Sequence, residues 1–369
     1  MKKLMILLCL LFQGTSWAAT CDWPEWQQFQ SIYIVNGRVV DGSDARQITT
    51  SEGQSYGLFF ALVANDQRTF ATLLNWTQNQ LAEGDLTARL PSWLWGRQPS
   101  GQFGVLDANP ASDSDLWIAY TLAEAGRLWD NYYYSSLAYL MANRILREET
   151  VKIEGMGTVL LPGSEGFGLG DGRYRVNPSY VPLQLIQRMG DLYPHHAWQS
   201  VYQTSLAMIL KTMPAGFSPD WATLSQNQFS VDQQTGPTGS YNAIRTYLWA
   251  GMLNDDSNDK AKLVKAMQPM VAAIAKLSAP PREVNTENGR AQSAGSAGFS
   301  AALLPLLAAS SEPSLLAAQA RRASELLVRQ ADDHYYDNVL AMFGLGWHQQ
   351  RYRFGVNGEL EPAWTHQCQ

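Results

Sequence analysis

Apolar positions recur every three to four residues through most of this chain. Leu116, Ala119, Tyr120 and Ala123 fall on one helical face, and Leu315, Leu316, Ala320 and Ala323 repeat the pattern near the other end. Following that period predicts helices over 24–33, 53–64, 67–82, 113–129, 132–148, 179–192, 198–212, 240–252, 258–275, 297–309, 313–331 and 333–347. Asp-Ser, Asn-Asp and Ser-Glu-Pro stretches supply helix starts. Strand-like pieces are short, at 151–162 and 351–360, the second with an Asn357-Gly358 turn. The expectation is an all-α chain with a few short strands in its loops. No linker, low-complexity block or charge run divides it. A dozen helices in one undivided chain suggest helix pairs packed in a ring or a superhelix. The count does not separate a closed toroid from a solenoid, and there is no fixed-period repeat of the solenoid kind.

The first 18 residues read differently. Lys2 and Lys3 precede the apolar run Leu4 to Phe12, and Ser16-Trp17-Ala18 places small residues where a signal peptidase reads them. The run is too short for a bilayer span, which needs roughly 20 residues. Residues 1–18 are therefore expected to be a signal peptide, and 19–369 a single domain that is periplasmic or secreted, with no membrane span.

Loss of Lys2 and Lys3 takes the formal charge from −6 to −8, because residues 1–18 hold no acid. An acidic chain without basic runs argues against nucleic acid and anionic lipid as partners. Cys21 and Cys368 remain near opposite ends of the mature chain. In an oxidising compartment, with the termini of a compact domain close together, a Cys21–Cys368 disulfide is expected. The five histidines, His195, His196, His334, His348 and His366, have no ligand spacing, so no metal is expected. Twelve tryptophans survive signal removal. Trp93-Leu94-Trp95, between Pro91 and Gly96, falls in an expected loop. Its rings could be stacking platforms for sugar or part of the core, and the sequence leaves both open.

Two acidic stretches could carry chemistry. In Thr49-Thr50-Ser51-Glu52-Gly53-Gln54-Ser55-Tyr56-Gly57, Glu52 sits at a helix start. It either answers the helix dipole or, with a raised pKa, protonates a leaving oxygen. In Ala111-Ser112-Asp113-Ser114-Asp115-Leu116-Trp117, Ser112 and Asp115 have the spacing of a capping box; this explains Asp113 less well, which either serves the helix start or projects into a cleft at its mouth. The glycines 166, 168, 170 and 172 lack the spacing and flanking residues of a phosphate loop.

Together these stretches resemble glycoside hydrolase family 8, in its branch of periplasmic endoglucanases encoded with bacterial cellulose synthases. The likeness is carried by the segment 111–129 and by 44–57 (DARQITTSEGQSYG), 90–96 (LPSWLWG), 216–221 (GFSPDW), 240–249 (SYNAIRTYLW) and 298–305 (GFSAALLP). It departs at Ser114, where the family usually has Gly or Ala. The resemblance implies an (α/α)6 barrel with a substrate groove and inverting endo-hydrolysis of β-1,4-glucan. One carboxylic acid then protonates the glycosidic oxygen while a carboxylate on the opposite face activates water. It implies Glu52 as general acid and Asp113 as the carboxylate gripping the sugar at the cleavage point. It also implies Arg245 bonded to sugar or to a catalytic acid, and Tyr241 beside the base. Trp93 and Trp95 join Tyr241 and Arg245 as expected substrate-binding residues. No cofactor is implied, since acid–base cleavage of a glycoside requires none. The implied partners are β-1,4-glucan and the cellulose secretion machinery.

At the base position, where the resemblance calls for aspartate, stands Asn242. An amide holds water but does not take its proton. Another carboxylate could serve, with Asp220, Asp232, Glu283 and Glu287 as candidates. Alternatively the protein is a catalytically impaired glucan-binding protein, or the asparagine is an introduced change that traps substrate. A further alternative is a hydrolase of another β-1,4-polysaccharide such as chitosan.

Overall fold

The computed structural model describes residues 22–366. The expected signal peptide and the Cys21–Cys368 disulfide lie outside the described residues.

Helices alternate along the chain between two environments. One set shows a single buried stripe: α1 (Pro24–Tyr33), α3 (Gln67–Leu81), α5 (Tyr132–Glu148), α7 (Trp198–Lys211), the broken pair α9 (Asn258–Ala266) and α10 (Gln268–Leu277), and α13 (Pro313–Leu326). The other set is buried over most of its surface: α2 (Ser51–Val63), α4 (Ser112–Leu128), α6 (Leu183–Leu192), α8 (Ala243–Met252), the pair α11 (Ala297–Ala302) and α12 (Leu304–Ala309), and α14 (Tyr335–His348). A one-stripe helix covers a core from outside, and an all-round apolar helix is enclosed. Six outer and six inner units result, the (α/α)6 barrel.

The ring is closed, which settles the question of toroid or solenoid. Phe343 of α14 meets Tyr56 and Phe60 of α2, with ring centroids 4.9 and 4.7 Å apart. Trp249 of α8 bridges Trp117 of α4 at 5.2 Å and Phe343 at 5.0 Å. Aromatic side chains from four inner helices thus plug the barrel axis, and edge-to-face ring contacts favour this packing.

Most outer helices begin where their pattern predicts, and polar caps mark the starts of α3 and α5. Asp66 accepts from the Thr69 N–H at 3.0 Å, and Asn131 from those of Tyr133 and Tyr134 at 3.0 and 3.3 Å. Two predicted helices are each two. Pro269 lacks an N–H and obstructs the preceding turn, so 258–277 breaks at Met267; Pro305 divides 297–309 at Leu303 in the same way. The helix predicted from 179 starts at Leu183, after a short 3-10 turn at Pro178–Tyr180. Residues 240–242 precede α8 instead of opening it.

Both predicted strand pieces form hairpins, pairing 150–153 with 157–160 and 352–354 with 360–362. Other short strands fill the connections that lead into inner helices. Thr49–Thr50, Leu94–Arg97 and Phe103–Asp107 form one sheet before α2 and α4, and Thr238–Gly239, Pro281–Asn285 and Ala291–Ala294 another before α8 and α11. Trp95 is therefore a strand residue and not a loop residue. Among the described residues no helix is long and apolar enough to cross a membrane.

Besides the charges around Arg245, a second buried group of charges fastens the barrel. Glu124 of α4 is fully buried and accepts from Arg188 Nε of α6 at 2.6 Å, from Arg127 Nη2 at 2.5 Å and from the Leu360 N–H at 2.9 Å. Truncating one partner strands a buried guanidinium. Glu124→Ala should therefore lower unfolding stability in urea by about 3–5 kcal/mol. A loss under about 1 kcal/mol, the level of an exposed ion pair, would show that the cluster is not a fastening.

Candidate active site

The chain enters inner helices α2, α4 and α8 from the same mouth of the barrel, and each brings a polar residue to its first turn. Glu52 is the second residue of α2 and Asp113 the second of α4, while Asn242 immediately precedes α8 and makes no capping bond with its side chain. Helix N-termini carry partial positive charge and unpaired N–H groups, which favours acids at these positions. The dipole reading of Glu52 thus holds alongside any chemical one.

Arg245, one turn into α8, draws these ends together. Its Nη1 donates to Glu52 Oε2, to Tyr56 Oη at 3.1 Å and to Asp113 Oδ2 at 3.4 Å. Its Nη2 donates to Asn242 Oδ1 at 3.1 Å and to Ser179 Oγ at 3.4 Å. The guanidinium also lies 5.7 Å from the Tyr180 ring centroid. Arg245 and Asp113 are buried, whereas the Glu52 side chain keeps 24% of its surface. Of the two acids, Glu52 is the one a ligand reaches.

Two carboxyls face one cation. Burial first, and the Glu52 charge second, push the Asp113 carboxyl up to about 8, against the pull of Arg245 and of the Ser114 N–H. At neutral pH the Glu52–Asp113 pair therefore keeps a proton, and its titration belongs to the pair.

Local packing explains the spelling of the motifs. A Cβ on Gly53 would come within 2.7 Å of Tyr335 Oη, so the residue after Glu52 has no side chain. Ser114, the departure from the resemblance, is matched by Ser51: their hydroxyls are 2.6 Å apart, and Ser114 Oγ donates to the Ala111 carbonyl at 2.8 Å. This bond ties the first turns of α2 and α4, hence Glu52 to Asp113. The expected capping box does not form. Ser112 is the first helical residue, the cap position is Ala111, and Asp115 points into the interior with no capping bond. The helix begins one residue earlier than the box requires, because the Ser112 N–H is held by the Pro162 carbonyl at 3.0 Å.

Of the four carboxylates weighed as substitutes for the base, one lies at the Asn242 turn. Asp220 Oδ1 accepts from the N–H groups of Ser240, Asn242 and Ala243 at 2.9, 2.9 and 2.7 Å. Burial pushes the Asp220 carboxyl up, opposed by these three N–H groups. Asp232 is held by Arg175 through two bonds of 3.1 Å. Glu283 and Glu287 are exposed, on a strand and in the turn after it. Asn242 Oδ1 accepts from Asn177 Nδ2 at 3.2 Å as well as from Arg245.

The expected platforms part company. Trp93 is half-buried, and its carbonyl accepts from the Ser51 N–H at 3.0 Å, which sets it beside Glu52. Trp95 stacks on Phe103 with centroids 5.2 Å apart, meets Trp76 edge-on and has Arg38 over its ring at 4.7 Å, so its faces are occupied by protein. That corrects its expected role as a sugar platform. Tyr241 is 53% exposed at the rim, against Phe299 and Tyr336. Tyr56, Asn177, Ser179 and Tyr180 belong to the site without having been singled out. Asn177-Pro178 is a turn signal, but only the fold aims that turn at Arg245.

The comparisons with known proteins agree with this geometry. A sequence model described as glycosyl hydrolases family 8 matches residues 2–350. An endoglucanase of Salmonella typhi is 44% identical over 365 residues, covering 98% of this chain and 97% of its own. One from Escherichia coli K12 is also 44% identical, with the same coverage. The crystal structure of an endo-1,4-D-glucanase from Vibrio fischeri ES114 superposes with a TM-score of 0.91 at 52% identity, covering 94% of this chain and all of that one. A barrel of alternating inner and outer helices, with its acids gathered on one arginine and full-length relatives of this kind, means that the chain belongs to glycosyl hydrolase family 8.

Proposed function

We infer that this chain is an endo-1,4-β-glucanase that cleaves β-1,4-glucan by an inverting acid–base reaction. The observation that carries it is the Glu52–Asp113 pair, two carboxyls on one buried arginine, in a chain whose full-length relatives are endoglucanases by name. Those names favour glucan over chitosan, and a working enzyme over an impaired binding protein.

In the proposed reaction, Glu52, the more accessible member of the pair, passes the retained proton to the glycosidic oxygen as the bond to the anomeric carbon breaks. Asp113 is then left as an anion beside the growing positive charge on the sugar. Water adds from the opposite face. Asn242 orients that water, and Asp220 takes its proton; Asp220 is the carboxylate next to Asn242, and only one of its oxygens is committed to backbone N–H groups. Trp93 and Tyr241 supply ring surface along the groove. Residues 19–369 act as one catalytic domain, exported by the segment 1–18 and closed by the Cys21–Cys368 disulfide. The enzyme works on glucan passing through the cellulose secretion machinery in the periplasm.

Three variants separate the roles on soluble carboxymethyl cellulose, read as reducing ends. Glu52→Gln should be inert. Asp220→Asn keeps an acceptor oxygen for the three N–H groups but removes the base, so kcat should fall about 10²–10⁴-fold with the fold intact. Asn242→Asp supplies a carboxylate at the turn and should not lower turnover. Full activity of Asp220→Asn would remove Asp220 from the reaction.

The retained proton sets a pH limit. Since the Asp113 carboxyl is pushed up to about 8, the pair loses its proton as pH rises through that value. The wild-type kcat/KM should fall on the alkaline side with a midpoint near pH 8, the value Asp113 takes in the free enzyme. A profile flat to pH 10 would exclude this proton as the one delivered.

A further inference from the structure

Beneath Asp113 lies a second acid pair that the reaction above does not use. Asp115 is two residues further along α4, and Glu149 caps the end of α5. Both are fully buried. None of their four carboxyl oxygens accepts a bond from any N–H or hydroxyl. The two side chains are instead within hydrogen-bonding reach of each other. The charged groups that bear on them are Asp113 and Glu148, both acids, and Glu148 is already paired to Arg144 at 2.6 Å and Arg147 at 2.8 Å. Among the described residues no cation compensates the pair.

Two bare carboxylates in contact, out of water and without a cation, are strongly disfavoured. A proton between them removes the conflict, because a protonated carboxyl donates and its neighbour accepts. The backbone at this spot is fixed on both sides. Asp115 N–H bonds to the Ala111 carbonyl at 3.0 Å, Glu149 N–H to that of Ile145 at 2.9 Å, and the Glu149 carbonyl receives the Leu161 N–H at 2.8 Å. A hydrogen bond between the side chains therefore locks the first turn of α4 to the end of α5.

We propose that Asp115 and Glu149 are positioning residues for Asp113, joined through a retained proton that clamps the helix turn on which Asp113 sits. The clamp explains why this acid at the fourth position of α4 faces inward when a capping role would turn it outward. The pair touches no substrate; it acts through the placement of Asp113.

The sign of the pH effect follows from burial, which pushes both carboxyls well above the ordinary carboxylate range. The folded state then binds more protons than the unfolded chain, and stability declines as pH rises from that range toward the raised values. Asparagine or glutamine supplies a permanent hydrogen in place of the proton. Asp115→Asn and Glu149→Gln should each fold, keep kcat near wild type, and move the alkaline unfolding midpoint upward by about one pH unit or more. Asp115→Ala, which has no hydrogen to give, should lose kcat about a hundredfold with KM little changed, the signature of a misplaced catalytic group. The clamp is refuted if the amide variants lose kcat as the alanine variant does, or if their alkaline unfolding coincides with that of wild type. The kinetic arm rests on the glucanase reading, but the unfolding arm needs no substrate. An inert wild type would sink that reading and leave the clamp to be decided by unfolding alone.

Discussion

A guanidinium buried at the mouth of the barrel is the constraint on which the site depends. Arg245 is almost fully enclosed, and an enclosed charge persists only if it is paired and hydrogen-bonded. Its partners come from α2, α4, the 3-10 turn before α6, and the start of α8. Satisfying one side chain thus sets the relative height of four inner segments. The parallel run of the inner helices makes this possible, because it brings their N-terminal turns, which favour acids, to one level. Folding and the proposed reaction share a single requirement here: Glu52 and Asp113 are also the counter-charges that make burial of Arg245 tolerable.

How much of this could be read in advance depended on burial. The outer helices alternate wet and dry faces, and α3 and α5 also carry side-chain caps, so these two start where their pattern places them. The inner helices α2 and α8 are buried nearly all round, which weakens the period there. The start of α2 was misplaced by two residues and that of α8 by three, each at an end that builds the site. The all-α class was legible in the helical period, and Glu52 and Asp113 could be placed at helix starts, where the fold has them. Their convergence on Arg245 was not, since it joins residues as far apart in the chain as 52 and 245. The capping-box reading of Ser112 and Asp115 failed for an instructive reason. The same spacing arises in a helix start whose first N–H is satisfied by a distant carbonyl, here that of Pro162.

Ser114 shows how a departure from a family pattern is absorbed. Where Gly or Ala would leave space, its hydroxyl fills a buried gap and finds two partners, Ser51 Oγ and the Ala111 carbonyl. A buried hydroxyl without partners would be unfavourable; one bonded on both sides is not. The bond lies between the first turns of α2 and α4 and so stiffens the link between Glu52 and Asp113, in the same sense as the proposed Asp115–Glu149 clamp.

Asn242 can be understood in terms of the same charge balance. The cluster holds Arg245 with one positive charge, and Glu52 and Asp113, which retain one proton between them and so carry one negative charge. With an amide at 242 the enclosed set is neutral. The aspartate expected from the family resemblance would add a negative charge within reach of Asp113 and Glu52, and like charges that close push protons onto carboxyls or force them toward water. Asn242 instead presents its carbonyl oxygen to Arg245 and Asn177. It keeps the hydrogen-bond geometry of an acid without its charge. The nearby carboxylate is Asp220, where three backbone N–H groups at the start of α8 oppose the effect of burial on a negative charge. An acid held by a helix N-terminus tolerates ionisation better than one packed among other acids, so a carboxylate at 220 sits where the backbone of the fold supplies part of its compensation, which a carboxylate at 242 beside Glu52 and Asp113 would lack.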